Sequence, residues 1–504
     1  ILGEVEKRIA LNIDETLMFK TPEEKTGYLN EILDSFVKVQ KGYKLKNINP
    51  EEPEEGNGLL SRFKKRDMED LILDPLSYEM LKYEVYCEKV GSSILEPFIR
   101  DIYIEDIHCS GAGPIYIDHK IFKTIESTIT LSDIEELDAF ALKLSEIVGK
   151  PASHREPIVD AKMPDGSRLN LVFGEDVSTR GSNFTIRKFA VNPISINQII
   201  KWGTMSSLAA AYIWILLENK MSIWICGETA SGKTTSLSAL MCFMPRDYKI
   251  VSIEEVPEVH VPHKNWIREV VRDTANSGSE EGVTMFALLK AALRQRPTYI
   301  IVGEVRGAEG NIAFQAMQTG HPRIATFHAA TVGKLVQRLT NFPINVPKTH
   351  IDNLNAAFFQ SAVHDPETGR YKRRVLTINE ILGYEPADQA YNFIEVFSFE
   401  PSTDEIVFRG LGTSFLLDQK IAVMKGYTGA DVRKIYDELY MRAEILEYMV
   451  ALDILEYDDV LENLLWVQGV GYEQAHKKFK NDAMMKLGFE IEKEIAIKLG
   501  KKVD

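Results

Sequence analysis

The sequence is poor in cysteine and contains no cysteine pair with metal-ligand spacing. Its 504 residues include four cysteines, Cys87, Cys109, Cys226 and Cys242. No two of them form a C-x-x-C motif, which excludes a zinc ribbon, and such sparse use of cysteine is typical of a reducing compartment.

Long hydrophobic runs are also missing. The longest apolar stretch extends from Leu208 to Leu217 and is followed by Glu218-Asn-Lys220. It is too short to span a bilayer and predicts a buried helix. Because the chain begins at Ile1 rather than Met, any earlier targeting segment cannot be read from it.

Basic charge is in deficit. There are 59 Lys and Arg against 74 Asp and Glu, a formal net charge of −15, and no long basic stripe occurs. This balance argues against direct nucleic-acid binding. The local basic run Lys372-Arg-Arg374 is interpreted as a solvated turn rather than a DNA contact.

The remaining composition is that of an ordinary globular protein, 45% hydrophobic and 26% charged, and the length predicts two to four domains. We expect a mainly helical domain at 1–95 with a Pro/Gly-containing linker at 49–58. A second, α/β domain is predicted at 96–191 and a hinge at 192–200. A larger α/β domain is predicted at 201–504, with a C-terminal β-hairpin and helical extension from about 385.

Short β-branched runs predict the strands of the second domain. Two of them are Ile102–Ile104 and Pro114–Ile117, and Leu131–Val148 has the pattern of an amphipathic helix. Ile158–Ala161 and Arg168–Val172 flank a Pro-Asp-Gly turn, which predicts a hairpin.

Helices and strands alternate in the larger domain, as they do in a parallel sheet covered on both faces. Strands are predicted at 249–253, 299–302 and 323–327, and Thr284 is a candidate N-cap for the helix before the second of them. Polar residues follow each strand, at the edge where open α/β sheets bind ligands. Residues 392–399 and 405–408 predict the late hairpin.

The motif Gly227-Glu-Thr-Ala-Ser-Gly-Lys-Thr234 matches G-x-x-x-x-G-K-[ST] in full. An apolar strand-like run, 222–226, precedes it, and a helical pattern, 235–242, follows. In that context, free backbone N–H groups and the helix dipole converge on one anion, so the motif predicts a nucleoside triphosphate site. Lys233 is expected to neutralise the β- and γ-phosphates and Thr234 to hold Mg²⁺. The expected nucleotide-binding residues are Gly227, Glu228, Thr229, Ala230, Ser231, Gly232, Lys233, Thr234 and Thr235.

Two groups of carboxylates follow predicted strands. Glu304 is the candidate for activating the attacking water, with a surface carboxylate as the alternative. Glu254, Glu255 and Glu258 form a second acidic group, which either holds Mg²⁺ through water, helps to align the attacking water, or is a solvated loop. Whether Glu304 or this acidic group supplies the general base stays open.

Histidine and arginine candidates complete the predicted site. His328 follows a strand and is a candidate sensor of the γ-phosphate, whereas His321 precedes the same strand. Neither has a three-ligand metal spacing. Arg306, two residues after Glu304, is a candidate for stabilising developing charge; the alternatives are a local ion pair with an acid and an arginine that completes a neighbouring subunit's site, which has the same pattern.

Four ordered motifs resemble those of the secretion and type IV pilus assembly ATPases, which include type II secretion ATPases, pilus motors and archaellum motors. Gly227–Thr234 resembles the family's Walker A loop, and Glu254–Glu258 its acidic box, with Glu255 where Asp is common. Val302–Arg306 resembles the atypical Walker B motif. Thr319–His321 with Thr326–Ala329 resembles the histidine box.

The resemblance covers roughly residues 96–385. Tyr103–His108 and Asp160–Asn170 look like the family's second N-terminal domain in its archaeal form, and the missing four-cysteine insert also favours an archaeal member. From that domain, arginines are implied for a composite site, with candidates at Arg168, Arg180 and Arg187.

The resemblance implies a RecA-like core with a mobile N-terminal domain, a hexameric ring, and ATP and Mg²⁺ bound between the two domains. It also implies a cytoplasmic motor, peripheral to the membrane, acting on the cytoplasmic loops of a polytopic platform protein to assemble a pilus-like filament or drive type II secretion. The alternatives are a nucleotide-dependent scaffold without appreciable hydrolysis and a type IV secretion ATPase.

Overall fold

The computed structural model of the protein describes residues 2–13, 17, 19, 21–41, 71–189, 193–272, 282–318, 320–365, 369–387 and 390–501. The chain divides into two compact units, 1–189 and 190–504. The predicted linker 49–58 and Thr319 of the histidine box lie outside the described residues.

The first unit combines short helices with two sheets. Its elements are α1 Leu2–Asn12, α2 Pro22–Asp34, β1 Val37–Val39, β2 Leu71–Leu73, α3 Pro75–Lys89, α4 Glu96–Arg100, β3 Ile104–Cys109, β4 Gly113–His119, β5 Lys123–Leu131, α5 Ile134–Ile147, β6 Ile158–Lys162, β7 Arg168–Val172 and β8 Asn183–Arg187.

Its larger sheet is antiparallel throughout the described residues, in the order β5-β4-β3-β8-β7-β6. Alternate residues of β7, Leu169 and Leu171, are buried and join a core with Leu137 and Leu144 of α5. Because side chains alternate across a strand, the intervening residues lie on the opposite face of the sheet. The hairpin predicted across the Pro-Asp-Gly turn is confirmed as β6 and β7.

The strand predicted at Ile102–Ile104 is misplaced, because β3 begins at Ile104. The side chain of Asp101 accepts the N–H of Tyr103 at 2.8 Å, and its carbonyl accepts the N–H of Ile104. These bonds hold 102–103 in a turn, a local alternative to the strand that Asp side chains favour. Strand β5 was not predicted, since most of its side chains are exposed and it has no apolar run.

The second unit contains the motifs. Its elements are α6 Ile196–Lys201, α7 Ser207–Glu218, β9 Ile223–Gly227, α8 Lys233–Leu240, β10 Ile250–Glu254, β11 Trp266–Val270, α9 Met285–Arg294, β12 Tyr299–Val305, α10 Glu309–Gln318, β13 Arg323–Phe327, α11 Val332–Thr340, β14 Ala356–His364, β15 Tyr371–Glu385, β16 Ala390–Glu400, β17 Glu405–Phe408, α12 Ala422–Met424, α13 Lys434–Ala451, α14 Tyr457–Val470, α15 Tyr472–Leu487 and α16 Glu490–Lys498.

The described strands of this unit form one sheet in the order β11-β10-β12-β13-β9-β14-β15-β16-β17. Neighbours from β11 to β14 are parallel, and β15, β16 and β17 continue the sheet antiparallel. Separate hydrophobic cores cover its two faces. Strand β13 lies between β9, which leads into the glycine-rich loop, and β12, which is the RecA-like arrangement. The predicted α/β class with a RecA-like core is confirmed.

Several local predictions are also confirmed. Thr284 caps α9 by accepting the N–H of Ala287, and β16 pairs with β17 as the late hairpin. The apolar stretch forms α7, in which every residue from Ser207 to Leu217 is buried. Within the described residues, no helix is both long and apolar enough to cross a membrane. The predicted hinge 192–200 overlaps α6, whose Ser195 forms a capping box with Gln198.

The interpretation of Lys372–Arg374 as a solvated turn was wrong. These residues belong to β15, and Arg374 is buried. Its guanidinium donates to both carboxylate oxygens of Asp404, at 2.8 and 2.7 Å, and to the carbonyl of Trp202. The run therefore ties the sheet to the hairpin between β16 and β17 and to the segment after α6.

A buried arginine fastens the C-terminal helices to α7. Arg442 of α13 is fully buried, and its guanidinium donates to the carboxylates of Glu218 and Glu438. The group stacks on the ring of Tyr472, 3.9 Å from its centroid, and lies 5.0 Å from that of Trp214. The helical extension is thus an integral part of the second unit.

Replacing Arg442 by Leu is expected to lower the free energy of unfolding by about 3–5 kcal/mol, because two largely buried carboxylates would lose their shared partner. Denaturant unfolding followed by tryptophan fluorescence measures this, since Trp214 lies beside the network. Lys425→Met is the matched control: Lys425 also pairs with Glu438, but from a more exposed position, so about 1 kcal/mol or less is expected. Equal losses in the two variants would contradict the assignment.

Candidate nucleotide-binding site

The glycine-rich loop connects the buried strand β9 to helix α8, as predicted. Gly232 is the N-cap of α8 with φ +91°, and Ala230 has φ +60°. A Cβ on Gly227 would lie 2.2 Å from the carbonyl oxygen of Gln360 on β14. Glycine is required at 227 by this close approach of two backbones and at 232 by the left-handed conformation.

Lys233 is folded back onto the loop that precedes it. Its Nζ donates to the carbonyl oxygens of Gly227 at 3.1 Å and Glu228 at 2.8 Å, and the residue is only 8% exposed. Burial lowers the pKa of the Lys233 ammonium, and the nearby Glu304 carboxylate opposes that effect. The lysine and Glu304 are therefore close enough to interact electrostatically.

The loop and the adjoining carboxylates fit a phosphate group and Mg²⁺. The hydroxyl of Ser231 is buried and, among the described residues, has no hydrogen-bond partner. Thr234 and Thr235 lie in the first turn of α8 and are partly exposed. Oε2 of Glu254 is also buried and accepts no hydrogen bond in the described part of the chain, although it forms an ion pair with Nε of Arg268 at 3.5 Å. Hydroxyl and carboxylate oxygens are the donors that Mg²⁺ prefers.

Glu304 lies at the centre of a polar cluster at the carboxyl ends of β12 and β13. Its Oε2 is 2.5 Å from Nη2 of Arg306, and its Oε1 is 2.8 Å from Nε2 of His328. The register of β12 against β13 shifts between Val302 and Glu304, and Thr326 donates its hydroxyl proton to the carbonyl of Gly303. This irregularity positions the Glu304 carboxylate at the carboxyl ends of the strands. Three of the predicted residues thus meet.

The environment of His328 favours a neutral imidazole. Burial lowers its pKa, and the charge of Lys233 lowers it further, while Glu304 opposes the change. Lys233, Glu304, Arg306 and His328 therefore form one electrostatic cluster, although they come from the loop and from two different strands.

The structure separates the three members of the acidic group. Glu254 is buried, and its Oε1 accepts the N–H groups of Glu258 at 2.9 Å and Val259 at 2.8 Å. Burial raises the pKa of Glu254. Glu255 is 57% exposed and its Oε2 lies 3.6 Å from Nη1 of Arg306, whereas the side chain of Glu258 is exposed. In the described residues, no three His, Cys, Asp or Glu side chains group as a metal site.

His321 and His328 lie at opposite ends of β13, since the first precedes and the second follows the strand. They are seven positions apart along a largely extended segment, which corresponds to about 20 Å. His321 is therefore not part of the Glu304 cluster within one chain.

Three side chains around the loop were missed by sequence reasoning. Arg338 of α11 donates to the carbonyl of His328, and Arg373 of β15 donates to the carbonyl of Ala230 at 3.2 Å. Gln360 of β14 contacts Ser231 and Ser236. The only sequence signal for Gln360 was the apolar run 356–359 before it, which was not assigned to a strand.

The arginines proposed for a composite site belong to the first unit. Arg168 donates to both oxygens of Asp160, and Arg187 donates to Asp106. Both are thus held by carboxylates of their own sheet.

Comparison with known proteins identifies the family. The model of the family described as "Type II/IV secretion system protein" matches residues 88–359, more than half of the chain. The chain belongs to this family. An uncharacterized protein of Methanocaldococcus jannaschii is 48% identical over 395 residues, which cover 78% of this chain and 70% of the relative. The resemblance drawn from the four motifs is therefore confirmed.

More distant members carry descriptive names. The type IV secretion system protein VirB11 of Brucella suis is 26% identical over 269 residues, 49% of this chain and 74% of that protein. Among solved structures, the ATPase DotB of Legionella pneumophila is 16% identical, with a TM-score of 0.41, and covers 74% of this chain and 94% of its own. The pilus retraction motor PilT with bound ADP is 17% identical, with a TM-score of 0.41, and covers 73% and 96%.

Proposed function

We propose that this family member is a hexameric Mg²⁺-dependent ATPase motor that assembles a type IV pilus-like filament or drives type II secretion. It acts peripherally at the cytoplasmic face of the membrane, on the cytoplasmic loops of a polytopic platform protein. The observation that carries the proposal is the convergence of the glycine-rich loop with Glu304, Arg306 and His328.

Each residue has a distinct role in the proposed hydrolysis of ATP. Residues 227–235 bind the phosphates, and Lys233 leaves the carbonyls of Gly227 and Glu228 to neutralise the β- and γ-phosphates. Glu304 orients and deprotonates the attacking water, while Arg306 stabilises the developing negative charge.

The remaining polar residues assist this chemistry. His328, kept neutral by burial and by Lys233, senses the γ-phosphate from its position beside Glu304. Bound Mg²⁺ would neutralise phosphate charge, and Thr234 with Glu254 and Glu255 would hold it, partly through water. Glu258 helps to align the attacking water.

A motor needs a ligand whose affinity differs between two conformations, and the γ-phosphate meets this condition because it is present before hydrolysis and absent after it. The filament role is drawn from the family rather than from the site. The named relatives also support a second candidate, a type IV secretion ATPase, since the type IV secretion system protein VirB11 of Brucella suis is 26% identical over 269 residues.

The test of the motor is ATP turnover measured across protein concentration, together with particle mass by light scattering. Turnover per chain is expected to rise as chains assemble into a six-subunit particle, because arginines of one chain complete the site of the next. Strictly constant specific activity across the assembly range would argue against a composite site. ATP binding without turnover at any concentration would instead favour the nucleotide-dependent scaffold.

A further inference from the structure

Gln360 is a buried amide placed directly beside the glycine-rich loop. Strand β14 runs parallel to β9, and Gln360 is the register partner of Gly227, the first residue of the motif. The residue is 3% exposed, and it lies far from the loop in the sequence. A buried amide is costly unless both of its ends are hydrogen-bonded, so its partners define what it does.

Both ends of this amide are bonded, one to the loop and one to the helix that follows. Nε2 donates to the carbonyl oxygen of Ser231 at 2.7 Å, and Oε1 accepts the hydroxyl of Ser236 at 2.7 Å. The side chain therefore connects the last turn of the loop to the first turn of α8.

The bond to Ser231 determines the orientation of the next peptide group. In a planar trans peptide the carbonyl and the following N–H point in opposite directions. When the Ser231 carbonyl faces Gln360, the N–H of Gly232 must face away from it. An N–H that is turned away from β14 is available to a phosphate bound by the loop, because phosphates accept such N–H groups. A flipped peptide would turn a carbonyl dipole towards the phosphate and repel it.

Both glycines of the motif are packed against this same residue. A Cβ at position 232 would lie 2.9 Å from the side-chain Nε2 of Gln360. A Cβ at position 227 would lie 2.2 Å from the main-chain carbonyl oxygen of Gln360. The close packing leaves the amide little freedom to release Ser231. The conformation of the loop is therefore constrained by contacts with the neighbouring strand β14 as well as by its own glycines.

We propose that Gln360 is a positioning residue for phosphate binding, which presents the N–H of Gly232 to the nucleotide through its bond to the Ser231 carbonyl. This inference rests on the proposed function, because it takes the loop to bind the phosphates of ATP. Gln360 does not touch the nucleotide itself, so it acts on binding rather than on the hydrolytic step.

The test compares Gln360→Leu with Asn379→Leu in the full chain. Asn379 is a buried amide on the neighbouring strand β15, also 3% exposed, but it donates to Thr377 rather than to the loop. Gln360→Leu is expected to raise the Kd for ADP and the KM for ATP about tenfold, the size of a lost charge-assisted contact, while kcat stays within about threefold. Asn379→Leu should leave both constants near those of the wild type.

A second variant removes the donor in a different way. Gln360→Glu keeps an acceptor for Ser236, removes the N–H that holds Ser231 and adds a negative charge beside the loop, so it should raise the Kd for ADP at least as much as Gln360→Leu. Thermal unfolding without nucleotide checks that each variant is folded. If Gln360→Leu does not fold, the comparison is made with Gln360→Glu instead.

Three results would overturn the proposal. The first is ADP binding by Gln360→Glu as tight as that of the wild type, the second is an equal effect of the two leucine variants, and the third is a fall in kcat alone. If the wild type itself binds no ADP, the proposed function fails together with the positioning role. Tight ADP binding by the wild type and by both Gln360 variants would instead reject the positioning role alone.

Discussion

Lys233→Ala is expected to weaken nucleotide binding by at least about 100-fold, because the variant loses charge-assisted hydrogen bonds to two phosphates. The chain should remain folded. In the structure, the hydrogen bonds of the ammonium go to Gly227 and Glu228, within the same loop, and not to other elements of the unit. Titration with a fluorescent ADP analogue, paired with thermal unfolding, measures both quantities.

Lys334→Ala is the matched control for this prediction. Lys334 is an exposed lysine of α11 whose amine donates to Gln337 of the same helix. Its removal should leave the affinity unchanged. Binding by Lys233→Ala that equals that of Lys334→Ala would remove the basis for the phosphate-loop assignment.

Glu304→Gln should keep ATP bound while slowing hydrolysis about 100-fold or more, in line with the loss of a general base. The amide has nearly the shape of the carboxylate, so the contacts with Arg306 and His328 can persist in altered form. What disappears is the negative charge that accepts a proton from water. Single-turnover hydrolysis, measured beside equilibrium ATP binding, separates these two effects.

Glu258→Gln tests the competing assignment of the base. Glu258 belongs to the acidic group, and its side chain is exposed. If turnover persists in Glu304→Gln and falls in Glu258→Gln, the general base lies in the acidic group. Slow hydrolysis in Glu304→Gln alone places it at Glu304.

Much of the fold could be predicted because the signals are local. Strand β9 and the first four residues of β12 are apolar runs of a kind found in parallel sheets, and Thr284 caps α9 three residues before its partner Ala287. Strand β15 escaped prediction because it starts with the charged residues Lys372–Arg374, which resemble a surface turn. Only the packing against Asp404 and Trp202 makes Arg374 a buried residue.

The candidate site divides in the same way. The glycine-rich loop is contiguous in sequence, and the residues next to it predicted the strand before it and the helix after it. The sequence also predicted that Glu304 and His328 lie at strand ends. The sequence did not reveal that one carboxylate oxygen of Glu254 accepts hydrogen bonds from the backbone N–H groups of residues 258 and 259. It did place His321 before β13 and His328 after it, which puts the two histidines at opposite ends of that strand.

The sequence by itself determined the glycine-rich loop, the family and the α/β class, because each depends on residues within a few positions of one another. Tertiary structure alone decided that Glu304, Arg306 and His328 meet beside Lys233 and that Gln360 holds the Ser231 carbonyl. The physical reason is that these contacts depend on strand order and register. Gln360 reaches the loop across 129 positions of sequence only because β14 lies next to β9.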